Sequence, residues 1–516
     1  MKTKKVLTIF LCSVLLMSAF CSCKKTPEAD ILQSTPNETE QTSETSSSHA
    51  VTPRSAVIGY YASDSLNPYK TKSRTNKTVA ALLYDSLFKV NENYEAVPSI
   101  ADSIEIDGKK VTVTLKDGLT FSSGNAVSAS DVAYSFVLAK SSPLYSSSLS
   151  NIASCTDSGS TLIFTLSVED IYVSSCLDFP IVEKGSGKKE IPTGSGRYTA
   201  KKKNGEYILT ASENSSSEEI MAQKEVKLLD LGSTQNHIYL LRTGELSCFY
   251  DIDGEKSNIK TDAGVSKVTL NNLCFLGINS ESEILSSKKV RQAVSALIDK
   301  DEIAASAYDS MAKSAFCVFN PDWKEAFVFK SESTAADSVS AASLFDEAGL
   351  LFHRANNKYR LTKEGNLASV KLIVNSDDSR RVKAAKLVAD RLKKGGLSVE
   401  TNVLSFEDYE TALLQKDFDL YIGEIKLSKN MDLSPFFSSA GKANFGIDLN
   451  SPLCSAYFDF KEGKIDISTF ESVFEEEAAF VPLCYREGAV YYSRALSFEG
   501  SPNEGDIYAN IYSWSF

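Results

Sequence analysis

Apolar and polar residues alternate with a clear short period between Val97 and Phe136. Val111, Val113 and Leu115 interleave with Thr112, Thr114 and Lys116, the two-residue period of a half-buried strand. Asp107-Gly108 in front of it predicts a hairpin turn, because glycine tolerates positive φ, and Asp117-Gly118 behind it predicts a second turn. Ser128 then offers a helix N-cap with Asp131 in the capping-box place, and Val132, Phe136 and Ala139 follow at helical spacing.

The same reading extends along the chain. Ser55 to Tyr60 predicts a strand, broken at Ser65-Leu66-Asn67-Pro68, and Thr75 to Phe88 predicts a helix with Val79, Leu82, Leu83 and Leu87 on one face. Leu162, Phe164, Leu166 and Val168 alternate as a strand; Leu177 to Val182, Ile191 to Tyr198 and Tyr207 to Thr210 read as further strands. His237 to Leu246 predicts a helix, Asn271 to Asn279 an apolar strand, and Ser287 to Lys300 a helix with Val290, Val294, Leu297 and Ile298 on one face. Val370 to Val374 predicts a strand, followed by a helix capped by Asp378 or Ser379 and closed by Gly395-Gly396. A strand at Val399 to Val403, a helix at Phe406 to Gln415 and a strand at Phe418 to Ile425 come next. Strand, helix, strand, helix, strand is an α/β pattern with a largely parallel sheet. Ala479 to Tyr485 predicts a last strand.

Composition places this pattern in a compartment. Lys2, Lys4 and Lys5 precede the apolar run Val6 to Phe20, which is short for a bilayer span and has the form of a secretory signal peptide. Its end, Phe20-Cys21-Ser22-Cys23-Lys24-Lys25, has the look of a bacterial lipobox, with Cys23 the lipidated residue because the small Ser22 precedes it. Lys24 to about Thr52 is a Ser/Thr/Glu-rich tract that cannot bury enough apolar surface to fold, and so reads as a tether. The chain of 516 residues as a whole is globular in composition, with 42% hydrophobic and 24% charged residues. The net charge of −12 becomes more negative still without the leader lysines, which argues against nucleic acid and anionic lipid as partners. Cys155 and Cys176 could face each other across strands in an oxidising compartment, or all the body cysteines could be small buried apolar residues. The three histidines, His49, His237 and His353, lie near no cysteine pair, so no metal cofactor is expected.

The wording of several stretches resembles the family 5 extracellular solute-binding proteins, the oligopeptide-, dipeptide- and nickel-binding receptors of ABC importers. Pro98, Ile100 and Ala101 begin the match, and Asp107, Gly108, Thr112, Leu115, Lys116, Gly118, Leu119, Phe121, Gly124, Ala129, Asp131, Val132 and Ser135 carry it on; Ser123 stands where an aspartate is usual. Leu83-Tyr84-Asp85-Ser86-Leu87-Phe88, Pro192-Thr193-Gly194-Ser195-Gly196-Arg197-Tyr198, Val290-Arg291-Gln292-Ala293-Val294 and Val481-Pro482-Leu483 resemble further family segments. The resemblance implies an α/β, two-lobed fold of the periplasmic-binding-protein (type II) kind, with an extra inserted domain and a ligand cleft between the lobes. Behind a signal peptide at 1–22 and a tether at 23–53, it implies lobe I from 54–91, 192–271 and 482–516, an inserted domain at 92–191, and lobe II at 272–481.

Catalysis finds no motif: there is no G-x-S-x-G elbow and no H-E-x-x-H, and Gly185-Ser186-Gly187-Lys188 lacks the rest of a P-loop. Glu475, Glu476 and Glu477 read as a solvated helix face. A binding cleft needs instead a few convergent polar groups and aromatic walls. The family's peptide receptors hold a ligand's amino terminus with an acid in a G-W-x-x-D-Y-x-D-P segment. Here the segment from Gly423 to Phe437 puts Glu424 where the tryptophan stands, and Asp432 aligns with the second aspartate. Glu424 either supplies the negative charge or pairs with Lys426 or Lys429. Tyr60, Tyr61, Asn279 and Tyr485 are further cleft candidates at strand ends, and Arg291 is expected in a structural ion pair. The reading is a monomeric, lipid-anchored receptor that is not an enzyme, with a peptide ligand and ABC permease subunits as partners. A sensor of the same fold, or a receptor for a non-peptide solute such as a metal chelate, is the alternative.

Overall fold

The structure is a computed structural model and describes residues 55–213, 220–233, 237–252, 264–353 and 358–516. The signal peptide, Cys23 and the tether lie outside the described residues, which belong to one compact unit beginning at Pro53.

The predicted hairpin is present: strands Ala101–Asp107 and Lys110–Leu115 pair antiparallel around Gly108, whose φ of 56° is the left-handed conformation the turn requires. They join Thr161–Leu166 and Ile152–Ser158 in a four-stranded sheet. The helix Ala129–Lys140 covers it, with Phe136 edge-on to Phe164 at 5.9 Å between ring centroids. The signature polar residues brace this unit. Asp131 accepts from the Ser128 N–H at 2.9 Å and from the Lys184 N–H at 2.7 Å, and Ser135 Oγ accepts from the Val182 N–H at 2.9 Å.

An eleven-stranded sheet carries the rest of the body. From one edge its order is Ser398–Leu404, Ser369–Asn375, Leu420–Lys426, Gly264–Ile278, Phe480–Tyr492, Cys248–Asp251, Ala56–Tyr60, Glu225–Asp230, Glu206–Ala211 and Tyr198–Lys203, with Ala312–Ser314 added beside Phe480–Tyr492. The first three run parallel to one another, as the α/β pattern predicts, and are joined through the helices Ser379–Lys394 and Phe406–Leu414. Asp378 caps the first of these by accepting from the Arg380 N–H, and Gly396 ends its turn at φ 96°. Gly264–Ile278 and Phe480–Tyr492 are longer than their apolar cores suggested and pair antiparallel along nearly their whole length, with a register shift between Thr269 and Leu273.

Four expectations are corrected. The helix predicted over Thr75 to Phe88 ends at Leu83. Its end is met by the Pro192-to-Tyr198 segment: Gly196 N–H donates to the Leu83 carbonyl at 3.1 Å, and a Cβ on Gly196 would stand 2.4 Å from the Leu83 carbonyl carbon. Residues 191–197 are therefore irregular, and the strand starts only at Tyr198. Leu177 to Val182 is also no strand: Pro180 has no N–H to give a ladder, and Ile181 N–H donates to the Asp85 carbonyl at 2.8 Å instead. Leu177, Phe179, Ile181 and Val182 are fully buried, so the run reports burial and not sheet. Glu477 is not solvated either. Ala478 takes the left-handed conformation at φ 43°, and Glu477 lies 4% exposed against Arg291, 3.7 Å away, whose Nε and Nη2 donate to the Glu477 carbonyl at 2.9 and 2.6 Å. That is the structural ion pair expected of Arg291.

Because the atoms facing Gly196 are backbone, they cannot swing away. Gly196→Ala is expected to cost about 1–3 kcal/mol or more in urea unfolding, through overpacking; an unchanged midpoint would show that the helix end has room.

All seven cysteines of the described residues are free thiols. Cys155 lies on a strand and Cys176 in the 3-10 turn Val173–Cys176, so the two do not face each other across neighbouring strands.

Candidate functional site

A cavity of ≈ 370 Å³ opens where several separate stretches meet: 74–90, 143–148, 178–180, 250–252, 426–435 and 504–507. The helix Arg74–Leu83 supplies one wall. Its apolar stripe, Val79, Leu82 and Leu83, is buried, which turns Lys77 and Thr78 to the opposite side. Lys77 Nζ stands 4.4 Å from the centroid of the Tyr145 ring. The facing wall is the loop that follows strand Leu420–Lys426, the segment the sequence singled out.

The charges of the cavity are mostly spoken for. Lys429 pairs with Asp178, and Lys426 with Glu504. Asp506 pairs with the buried Arg197. Lys89 lies 3.4 Å from Asp85. Burial alone would raise the Glu504 carboxyl, but Lys426, Lys429 and the Asn271 N–H overcome it and push it down to about 2. Burial, with Lys429 and Lys426 nearby, pushes the Lys77 ammonium down to about 8.

Of the residues predicted for the site, Asp432 lines this cavity. Its carboxylate accepts from Tyr457 Oη at 2.6 Å, from the Ser434 N–H at 2.9 Å and from Ser434 Oγ at 2.9 Å. It also borders a second cavity of ≈ 220 Å³, shared with Asp170, Asn430 and Lys461. Glu424 does not line the large cavity. It pairs with neither Lys426 nor Lys429 but with Arg486 at 3.2 Å, and it accepts from Asn272 Nδ2 at 2.9 Å, a bridge across three neighbouring strands. Tyr60 packs edge-on to Tyr207, and the Tyr61 N–H donates to Asn76 Oδ1 at 2.8 Å. Asn279 is buried with Nδ2 donating to the Phe418 carbonyl at 3.0 Å, and Tyr485 is fully buried with its hydroxyl donating to the Val318 carbonyl at 2.7 Å. None of these four borders the cavity. Lys77, Tyr145, Asp178 and Glu504, which do, sit in no recognisable motif, whereas Lys429 falls in the Gly423-to-Phe437 segment. The one available signal was the polar face of the Thr75 helix.

The fold thus combines a long two-stranded spine with α/β layers beside it, an added antiparallel sheet and a chamber of opposed charges. The sequence profile of the bacterial extracellular solute-binding proteins, family 5 (middle region), matches residues 95–446. The chain belongs to that family. It is 24% identical over 422 residues to the oligopeptide-binding protein AppA of Bacillus subtilis (strain 168), covering 74% of this chain and 76% of that one. Among solved structures, the periplasmic murein tripeptide binding protein MppA, in an unliganded open form, superposes with a TM-score of 0.72 at 18% identity, over 90% of this chain and 97% of its own. NikA from Brucella suis, in complex with Fe(III)-EDTA, superposes at 0.63 and 17% identity over 89% and 99%. At those identities the two structures carry the fold. The family is extracellular and solute-binding, which places the body outside the cytoplasm and its work in capture.

Proposed function

We propose that this chain is the lipid-anchored substrate-binding component of an ABC importer, that it takes a peptide into the ≈ 370 Å³ cavity, and that it delivers the peptide to permease subunits in the membrane. The observation that carries the reading is the make-up of that cavity. Its walls come from residues 74–90 and 504–507 on one side and 426–435 on the other, each with charged and hydrogen-bonding groups, as a ligand enclosed between lobes requires. The buried clusters support the two-lobe plan. One gathers residues from Ala56 to Leu270 together with Val490 to Trp514, and two others gather residues almost wholly from Leu273 to Tyr485. Ligand would stabilise the closed arrangement by its higher affinity for it. Lipidation at Cys23 would keep the body near the permease while the 23–53 tether lets it move. Asp432 is the predicted ligand contact that this reading retains.

Native mass spectrometry of the gently purified chain, followed by denaturing identification of whatever is released, tests the proposal. Peptides of mixed sequence and narrow length are expected. A single non-peptide species such as a metal chelate would move the reading to that ligand class. An empty protein that gains no thermal stability from any peptide pool would overturn it.

A further inference from the structure

Five cations and four carboxylates line the large cavity. Asp178, Glu504 and Asp506 each pair with a cation, and Asp432 is held by Tyr457 and Ser434. Lys89 has Asp85. What remains is Lys77, half-buried against the Tyr145 ring, and Arg74 one turn before it. Neither has a carboxylate at ion-pair distance among the described residues, whereas the protein as a whole carries a net charge of −12. An acidic protein that gathers unmatched positive charge in this chamber is shaped for an anion. A half-buried ammonium without a counter-charge is poorly satisfied and is relieved when a ligand supplies one. The Ser147 and Ser148 hydroxyls, on the same cavity lining, add neutral donors.

We infer that Lys77, assisted by Arg74, is the anion-binding position of the chamber, and that the ligand presents a carboxylate there. The inference rests on the reading above that this cavity is the ligand chamber. In the closed complex the carboxylate lies against the ammonium face that Tyr145 leaves open. The groups facing Lys77 are Arg74 on its own helix, Tyr145 from 143–148, Asp178 from 178–180, Lys426 and Lys429 from the opposite wall, and Glu504 from 504–507. Burial, with Lys429 and Lys426 adding to it and Asp178 and Glu504 opposing it, holds the ammonium down to about 8, so a carboxylate ligand draws a proton onto Lys77 when it binds in mildly alkaline solution.

The test uses the purified protein and pairs of otherwise identical peptides from those it retains. One member has a free C-terminal carboxylate and the other an amide; a second pair exchanges an internal Glu for Gln. Titration calorimetry on the wild type should show one pair differing about 10- to 100-fold in affinity, the worth of a charge-assisted contact, and that pair tells which carboxylate is read. In Lys77→Met this difference should vanish, while Lys77→Arg keeps it and neither variant melts below the wild type. The wild-type preference should weaken between pH 7 and pH 9, and the weakening should be absent from Lys77→Met. Equal binding within both pairs, or a preference that survives Lys77→Met, overturns the inference and leaves the peptide reading standing. If no peptide binds, citrate is the probe: Lys77-dependent binding of citrate sinks the peptide reading and keeps the anion position, and no binding of either sinks both.

Discussion

Lys461→Met unfolds at markedly lower urea than the wild type, with a loss of about 3–5 kcal/mol. Lys461 Nζ lies 2.7 Å from Asp170 Oδ1, and the two side chains are 5% and 2% exposed. The ammonium also donates to the Asn430 carbonyl at 2.9 Å and sits 5.3 Å from the centroid of the Tyr172 ring. Asp170 keeps two other donors, Asn430 Nδ2 at 2.6 Å and the Tyr172 N–H at 2.9 Å. Deleting the ammonium leaves a buried carboxylate with hydrogen bonds but no counter-charge, and that unmatched charge dominates the cost. Adding Asp170→Asn to Lys461→Met should therefore recover part of the loss, so the pair of changes costs less than the sum. A single-variant loss below about 1 kcal/mol would mean that water reaches the pair and screens it.

The second large effect has the opposite sign. Glu471→Gln should be more stable than the wild type at neutral pH, and by more as the pH rises. Burial raises the Glu471 carboxyl to about 8, and Glu475 one helical turn away adds to the shift; Lys300 and the Val318 N–H oppose it without cancelling it. The folded state thus holds its proton up to about pH 8, while the unfolded chain releases it near pH 4.5. Across that window the folded state binds more protons than the unfolded one, so wild-type stability falls as pH climbs from about 4.5 to 8 and is level above it. At roughly 1.4 kcal/mol per pH unit the full penalty is on the order of a few kcal/mol. Glutamine keeps an acceptor for Val318 and has no proton to lose. Urea melts at pH 4.5, 6 and 8 should show the variant's advantage growing from near zero. An advantage that does not change with pH would show that Glu471 ionises normally.

Much of the fold was legible because its causes are local. The Asp107-Gly108 hairpin, the Ser128–Asp131 helix start and the alternation from Val370 to Ile425 are set by turn chemistry and by the period of apolar residues, which neighbours in sequence determine. Leu177 to Val182 failed as a strand because an apolar run records burial, and Pro180 decides how its backbone is satisfied. The site was less legible, since its charges are matched by residues far along the chain. Glu424 looks like an acid with a lysine beside it until Arg486 is placed two strands away as its partner, and Lys429 looks like that lysine until Asp178 takes it. Lys77 carries no motif at all. It becomes notable only when every carboxylate around it proves to be taken.

The place of strand Phe480–Tyr492 has a consequence for how the protein is made. It lies between Cys248–Asp251 and Gly264–Ile278, in the middle of the sheet, yet it leaves the ribosome about 200 residues after the second of them. At roughly 5–20 residues per second, translation leaves those strands without their shared neighbour for on the order of ten seconds or more. For that interval no complete sheet exists that could jam a translocation pore. A body destined for the far side of a membrane can thus be threaded through as an open chain and close its sheet only after its late central strand has followed it across.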